Sequence, residues 1–189
     1  MDKLIAGFSN QLSKALEIGN NYQFKLDKNI QIDNILIIGL GGSGIGGSLL
    51  QNYAFDKVKV PVYVSKAYTL PAFISKNTLT IICSYSGNTE ETVTSYTKAL
   101  EVGGPIVTVT SGGQVQQIAE QNNNDCILIP PGFPPRSCLG YSFVQLLTIL
   151  NHFDLINNQY QTELQAAISL IDGDNDNIKV LAADIAKKI

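Results

Sequence analysis

A chain of 189 residues is long enough for one well-packed domain with a short remainder. Hydrophobic residues make up 44% and charged residues 15%, a balance that excludes a disordered chain. A net charge of −3, with no basic stripe anywhere, excludes a nucleic-acid binder.

The first segment, MDKLIAGFSNQLSKALEIG, spaces Leu4, Phe8, Leu12, Ala15 and Leu16 at helical intervals, and lysines interrupt it. It reads as an amphipathic helix rather than a signal peptide. A polar turn leads to NILIIGLGGSGIGGSLLQNYA, which gives a strand from Ile35 to Ile38, a glycine loop and a helix. VPVYVS at 60–65 and LTIICS at 79–84 read as the second and third strands. A helix follows from about Thr89 to Leu100. PIVTVTS at 105–111 is a fourth strand, a helix runs through Val115 and Ile118, and DCILIP at 125–130 is a fifth strand. The stiff loop PPGFPPR then enters an apolar helix from about Cys138 to Phe153. No apolar run approaches the roughly 20 residues of a membrane span.

Short, continuously apolar strands alternating with helices imply βαβ units, because such strands are buried on both faces of a parallel sheet. The expected fold is α/β: a doubly wound five-stranded parallel sheet flanked by helices, with a C-terminal helical extension. Ligands of such sheets sit beyond the carboxyl ends of the strands, where the strand order reverses. The tail, residues 156–189, reads as two helical stretches broken at Asp172 to Asp176. Its last part spaces Ile178, Leu181, Ile185 and Ile189 into an apolar stripe. That stripe either packs back on the sheet domain, residues 1–155, or meets a second subunit or a further domain. Cys83, Cys126 and Cys138 have no metal spacing and read as small buried hydrophobes in a reducing cytoplasm.

Two strand ends carry the chemistry. The first, Gly39 to Gly47, contains G-x-G-x-x-G between a strand and a helix, which formally matches a dinucleotide fingerprint. Such a site also wants a carboxylate at the end of the second strand. Here that strand ends Val64-Ser65-Lys66, and Lys66 leaves only a 2′-phosphate version open. The second end, SYSGNTEET, offers the hydroxyls of Ser84, Ser86 and Thr89, a turn at Gly87 and the free N–H groups of a helix start. Together these make a nest for a phosphate dianion without lysine or arginine. Plain capping is the alternative, since Asn88 and Glu91 stand at capping-box spacing. Glu90 and Glu91 have to point away from a bound phosphate.

GLGGSGIGG followed by SYSGNTEET resembles the sugar isomerase (SIS) domain, which binds phosphosugars. PPGFPPRSCLGYS narrows the resemblance to the bifunctional phosphoglucose/phosphomannose isomerases, which carry two such domains. The resemblance covers roughly residues 30–150. It implies phosphate binding by Gly41, Gly42, Ser43, Ser84, Ser86 and Thr89, and a catalytic Arg136 that stabilises charge on the reacting carbons. It implies isomerisation of glucose 6-phosphate or mannose 6-phosphate to fructose 6-phosphate, with no metal or redox cofactor, in a cytoplasmic homodimer. The family's catalytic glutamate, histidine and lysine belong to a second half, so residues 156–189 are expected to lead towards it. His152 reads as a helix-end residue and Glu163 as a solvated one. A non-catalytic phosphosugar sensor and a nicotinamide dehydrogenase are the rival readings.

Overall fold

Residues 1–188 are described in the computed structural model; Ile189, the end of the expected apolar stripe, lies outside the described residues. The helices are α1 (Asp2–Ala6), α2 (Phe8–Asn21), α3 (Gly41–Ala54), α4 (Glu90–Val102), α5 (Gly113–Gln121), α6 (Leu139–His152), α7 (Gln159–Gly173) and α8 (Asn175–Ala186). The strands are β1 (Asn34–Gly39), β2 (Val62–Ser65), β3 (Thr78–Ser84), β4 (Ile106–Thr110) and β5 (Asp125–Leu128). They form one sheet in the order β2-β1-β3-β4-β5, with every pair parallel. The doubly wound α/β sheet expected from the apolar runs is what forms.

Alternate residues of each strand serve opposite faces, because side chains of a strand point up and down in turn. Ile35, Ile37, Leu79, Ile81, Val107, Val109 and Ile127 pack with α2, α3, α6 and α7. Leu36, Ile38, Ile82 and Ile106 pack with Tyr96 and Ala99 of α4 and Val115 and Ala119 of α5. Helix α6 is buried on nearly every side from Gly140 to Leu150, which is why its sequence is apolar throughout. No helix connects β2 to β3. Residues 66–77 instead cross over β1 as an irregular segment, and Leu70 and Ile74 pack on the α4–α5 side.

Three expectations are corrected. The first helix is two, because α1 ends at Ala6 and α2 starts at Phe8 with Gly7 between them. The glycine stretch is no loop: α3 begins at Gly41 and runs through it. Close packing outweighs the low helix propensity of glycine there, since a Cβ on Gly47 would come within 3.0 Å of Ile37 and 3.2 Å of Val64. Cys126 is only partly buried, unlike Cys83 and Cys138. In the tail, α7 packs through Tyr160, Leu164 and Ile168, whereas α8 buries no residue and leaves Ile178, Val180, Leu181 and Ile185 exposed.

The chain entering β1 is held by one buried carboxylate. Asp125 is 0% exposed and accepts from Tyr22 Oη at 3.0 Å, Lys25 N at 2.9 Å and Leu26 N at 3.0 Å. Burial, with the Asp125 charge next to it, pushes the Tyr22 phenol above its ordinary range. Asp125→Ala removes the acceptor from all three donors and is predicted to lower the unfolding free energy by about 3 kcal/mol in urea titration. A loss below about 1 kcal/mol contradicts the clasp.

Candidate phosphate site at the switch in strand order

The sheet order turns at β1: the chain goes from β1 outward to β2, then returns across β1 to β3. The carboxyl ends of β1 and β3 therefore lie side by side, with Gly39 paired to Cys83. Each strand hands the chain to a helix start, α3 after β1 and α4 after β3. Ser43 in the first turn of α3 is tied to the loop between β3 and α4, because the Tyr85 amide donates to Ser43 Oγ at 3.3 Å. Helix starts carry unpaired N–H groups and a partial positive charge, which favour an anion.

The local geometry leaves donors free. Gly41 has φ +57°, and the space where a Cβ would sit is empty to 4 Å. Gly87 has φ +67°, and a Cβ there would collide with the Gly112 carbonyl oxygen, so only glycine turns this corner. Ser84 is buried, and its hydroxyl reaches Thr89 Oγ1 at 3.2 Å. Ser86 Oγ accepts from the Asn88 amide at 3.3 Å. Ser43, Ser86 and Thr89 thus act as acceptors inside the protein, and each keeps a hydroxyl proton to offer outward.

The capping alternative fails in its particulars. The N-cap of α4 is Thr89, and no side chain caps that helix. Asn88 turns away instead, and its Oδ1 accepts from Gln114 N at 3.1 Å in the first turn of α5. Glu91 lies beside the Tyr68 hydroxyl, and burial, then the hydroxyl's hydrogen bond to Glu91 and the charges of Glu90 and Glu91, raise the Tyr68 pKa.

Arg136 sits on the short 3₁₀ turn Pro135–Ser137 and is exposed. Its Cα would lie 3.8 Å from a Cβ built on Gly42, and the Pro135 carbonyl oxygen 3.2 Å from it. The proline loop therefore rests on the first turn of α3, and all the residues implied by the sequence gather at this one sheet end. Lys66 comes here as well, since a Cβ on Gly44 would lie 3.1 Å from its Cε. Lys66 thus stands beside the first turn of α3.

The model of the SIS domain matches residues 30–147, the stretch that runs from the approach to β1 into α6. The chain belongs to the SIS domain family. Among its relatives, the bifunctional phosphoglucose/phosphomannose isomerase of Caldicellulosiruptor bescii is 44% identical over 156 residues, covering 82% of this chain and 46% of that protein. The D-glucosamine-6-phosphate 4-epimerase of Sulfolobus acidocaldarius is 32% identical over 151 residues, covering 79% of this chain and 45% of that protein. The C-terminal domain of glucosamine-fructose-6-phosphate aminotransferase from Francisella tularensis shares the fold, with a TM-score of 0.72 at 16% identity over 92% of this chain and 55% of that one. The chain spans about half the length of the curated relatives it matches.

Two residues that position the SIS site escaped the sequence reading. Tyr85 Oη donates to Pro130 O at 3.0 Å and accepts from Phe133 N at 2.9 Å, tying the serine loop to the proline loop. Gln11 of α2 donates to Ser137 O at 2.7 Å and accepts from Gly140 N at 2.8 Å, fixing the turn that carries Arg136. Tyr85 stands inside SYSGNTEET but its ring contacts are long-range, and Gln11 belongs to no motif and lies 129 residues from Gly140. His152 and Glu163 stand elsewhere. His152 is at the opposite end of α6, about 20 Å from its start, where Nε2 meets Leu26 O at 2.9 Å and the ring stacks on Phe24. Glu163 is not simply solvated, because it accepts from Tyr53 Oη at 2.6 Å. Burial pushes the Cys83 thiol up to about 12, so it stays protonated and is no nucleophile.

Tyr85→Phe removes the acceptor of the Phe133 amide. Hydrogen exchange at Phe133 is predicted to speed up about tenfold, equivalent to about 1.4 kcal/mol. An unchanged rate contradicts the tie between the two loops.

Proposed function

We propose that this chain holds the phosphate of a hexose 6-phosphate at the carboxyl ends of β1 and β3, as the phosphate-binding half of an aldose–ketose isomerase. The observation that carries the reading is that the uncapped starts of α3 and α4 leave the adjacent ends of β1 and β3, with Ser43 of α3 tied by its Oγ to Tyr85 N–H of the loop before α4. Hydroxyl protons of Ser43, Ser86 and Thr89 and backbone N–H groups near Gly41 and Gly42 bind the phosphate oxygens, while Ser84 holds Thr89 in place. The substrates are glucose 6-phosphate or mannose 6-phosphate on one side and fructose 6-phosphate on the other. The 44% identity to a protein named for both activities supports this choice.

Isomerisation moves a proton between C1 and C2 through an enediolate. Arg136 stands at the rim of the same crevice on a turn stiffened by prolines. A fixed guanidinium there stabilises the developing oxyanion, and it loses little on reaction because it is already in place. In this reading the base comes from elsewhere, which fits His152 and Glu163 being engaged with Leu26 and Tyr53. In this reading residues 1–155 are the phosphosugar domain, and residues 156–189 lead to the domain or subunit that supplies the base. A cytoplasmic homodimer is part of the same proposal.

Calorimetric titration with fructose 6-phosphate tests it, with NADP as control. The wild-type chain is expected to bind the sugar phosphate, and Ser86→Ala to bind it about tenfold more weakly. Binding of NADP in place of the sugar phosphate contradicts the reading.

A further inference from the structure

Lys66 follows the edge strand, and the register fixes its height. Ile38 pairs with Ser65 on one side of β1, and Gly39 pairs with Cys83 on the other. Lys66 is therefore level with Gly39 and Cys83 at the carboxyl edge, with β1 between it and β3. Two strand spacings, about 10 Å, separate the Lys66 and Cys83 backbones. The flexible stem of a lysine covers more than half of that distance.

The stem also leans in the right direction. A Cβ on Gly44 would lie 2.6 Å from the Gly39 carbonyl oxygen and 3.1 Å from Lys66 Cε. The end of the side chain thus lies over the end of β1, next to the turn that carries Ser43. From the other side, α4 pins the backbone that follows: Ser95 Oγ donates to Ala67 O at 2.9 Å and Lys98 Nζ to Tyr68 O at 2.8 Å. Helix α4 is the one that starts at the serine loop, so both helices of the crevice fix where Lys66 stands. Among the described residues, carboxylates pair with Lys14, Lys28, Lys57, Lys179 and Lys187 but not with Lys66. A solvated ammonium beside the first turn of α3 adds little for a neutral ligand. For a dianion it adds a full charge to partial ones.

We propose that Lys66 is a substrate-binding residue that pairs with the phosphate dianion and so sets the preference for phosphorylated over free sugar. This rests on the phosphosugar reading above. Lys66 then serves the phosphate while Arg136, across α3 against Gly42, serves the reacting carbons. The two cations divide the ligand between its two ends.

The test is titration of the wild-type chain, Lys66→Gln, Lys66→Arg and Ser86→Ala with fructose 6-phosphate at low and high salt. Lys66→Gln is expected to weaken binding about tenfold at low salt, and its affinity should depend less on salt than the wild type's. Lys66→Arg should retain most of the affinity. If Lys66→Gln binds like the wild type while Ser86→Ala is weakened, the role of Lys66 is overturned and the phosphosugar reading stands. Equal losses in Lys66→Gln and Lys66→Arg also overturn it, since the charge is then not the cause. No binding by the wild type overturns both.

Discussion

Parallel pairing of β1 with β3 is the constraint on which the rest depends. It sets the ends of both strands side by side, and each strand must then leave the sheet through a helix start. A helix start has N–H groups that its own turns cannot satisfy. Ser43 Oγ and Tyr85 N–H tie the start of α3 to the loop that opens α4, so both helix starts stand at one end of the sheet. Glycine is required where the backbone approaches or turns, at Gly41 and Gly87. Everything else near the crevice, from the proline loop to the segment after β2, is arranged against this junction.

Much of the surrounding hydrogen bonding serves to hold loops rather than to touch a ligand. Tyr85 joins the serine loop to the proline loop, and Gln11 joins α2 to the turn bearing Arg136. Ser111 Oγ donates to the Tyr85 carbonyl at 2.6 Å, so the tyrosine backbone is held from β4's end as well. Exposed groups on flexible loops gain rigidity this way, and a preorganised site loses less entropy on binding. Lys66 and Arg136 bring positive charge to the two sides of the start of α3.

The strands were legible because burial on both faces leaves no room for alternation, and LTIICS could hardly be anything else. The serine loop was legible because hydroxyls at the end of a buried strand need a reason. Long-range pairings were not. Asp125 reads as the polar start of a strand, yet it clasps a segment about one hundred residues earlier. Lys66 reads as a missing carboxylate for a dinucleotide; only the register of β2 on β1 and the bare Gly44 bring it beside the first turn of α3. The glycines read as a loop because propensity disfavours them in helices, and the packing of α3 on Ile37 and Val64 overrides that. The exposed stripe of α8 was visible from its spacing alone, since helical periodicity survives whether or not the face is covered.

The central claim is that an anion is held where α3 and α4 begin. Amide chemical-shift mapping with fructose 6-phosphate tests it most directly, because each backbone N–H reports separately. The account predicts that the largest shifts fall on residues 41–44 and 86–92, with smaller ones at Lys66 and Arg136. Shifts confined to another surface, such as the groove between α2 and α7 lined by Glu17 and Gln161, would contradict it.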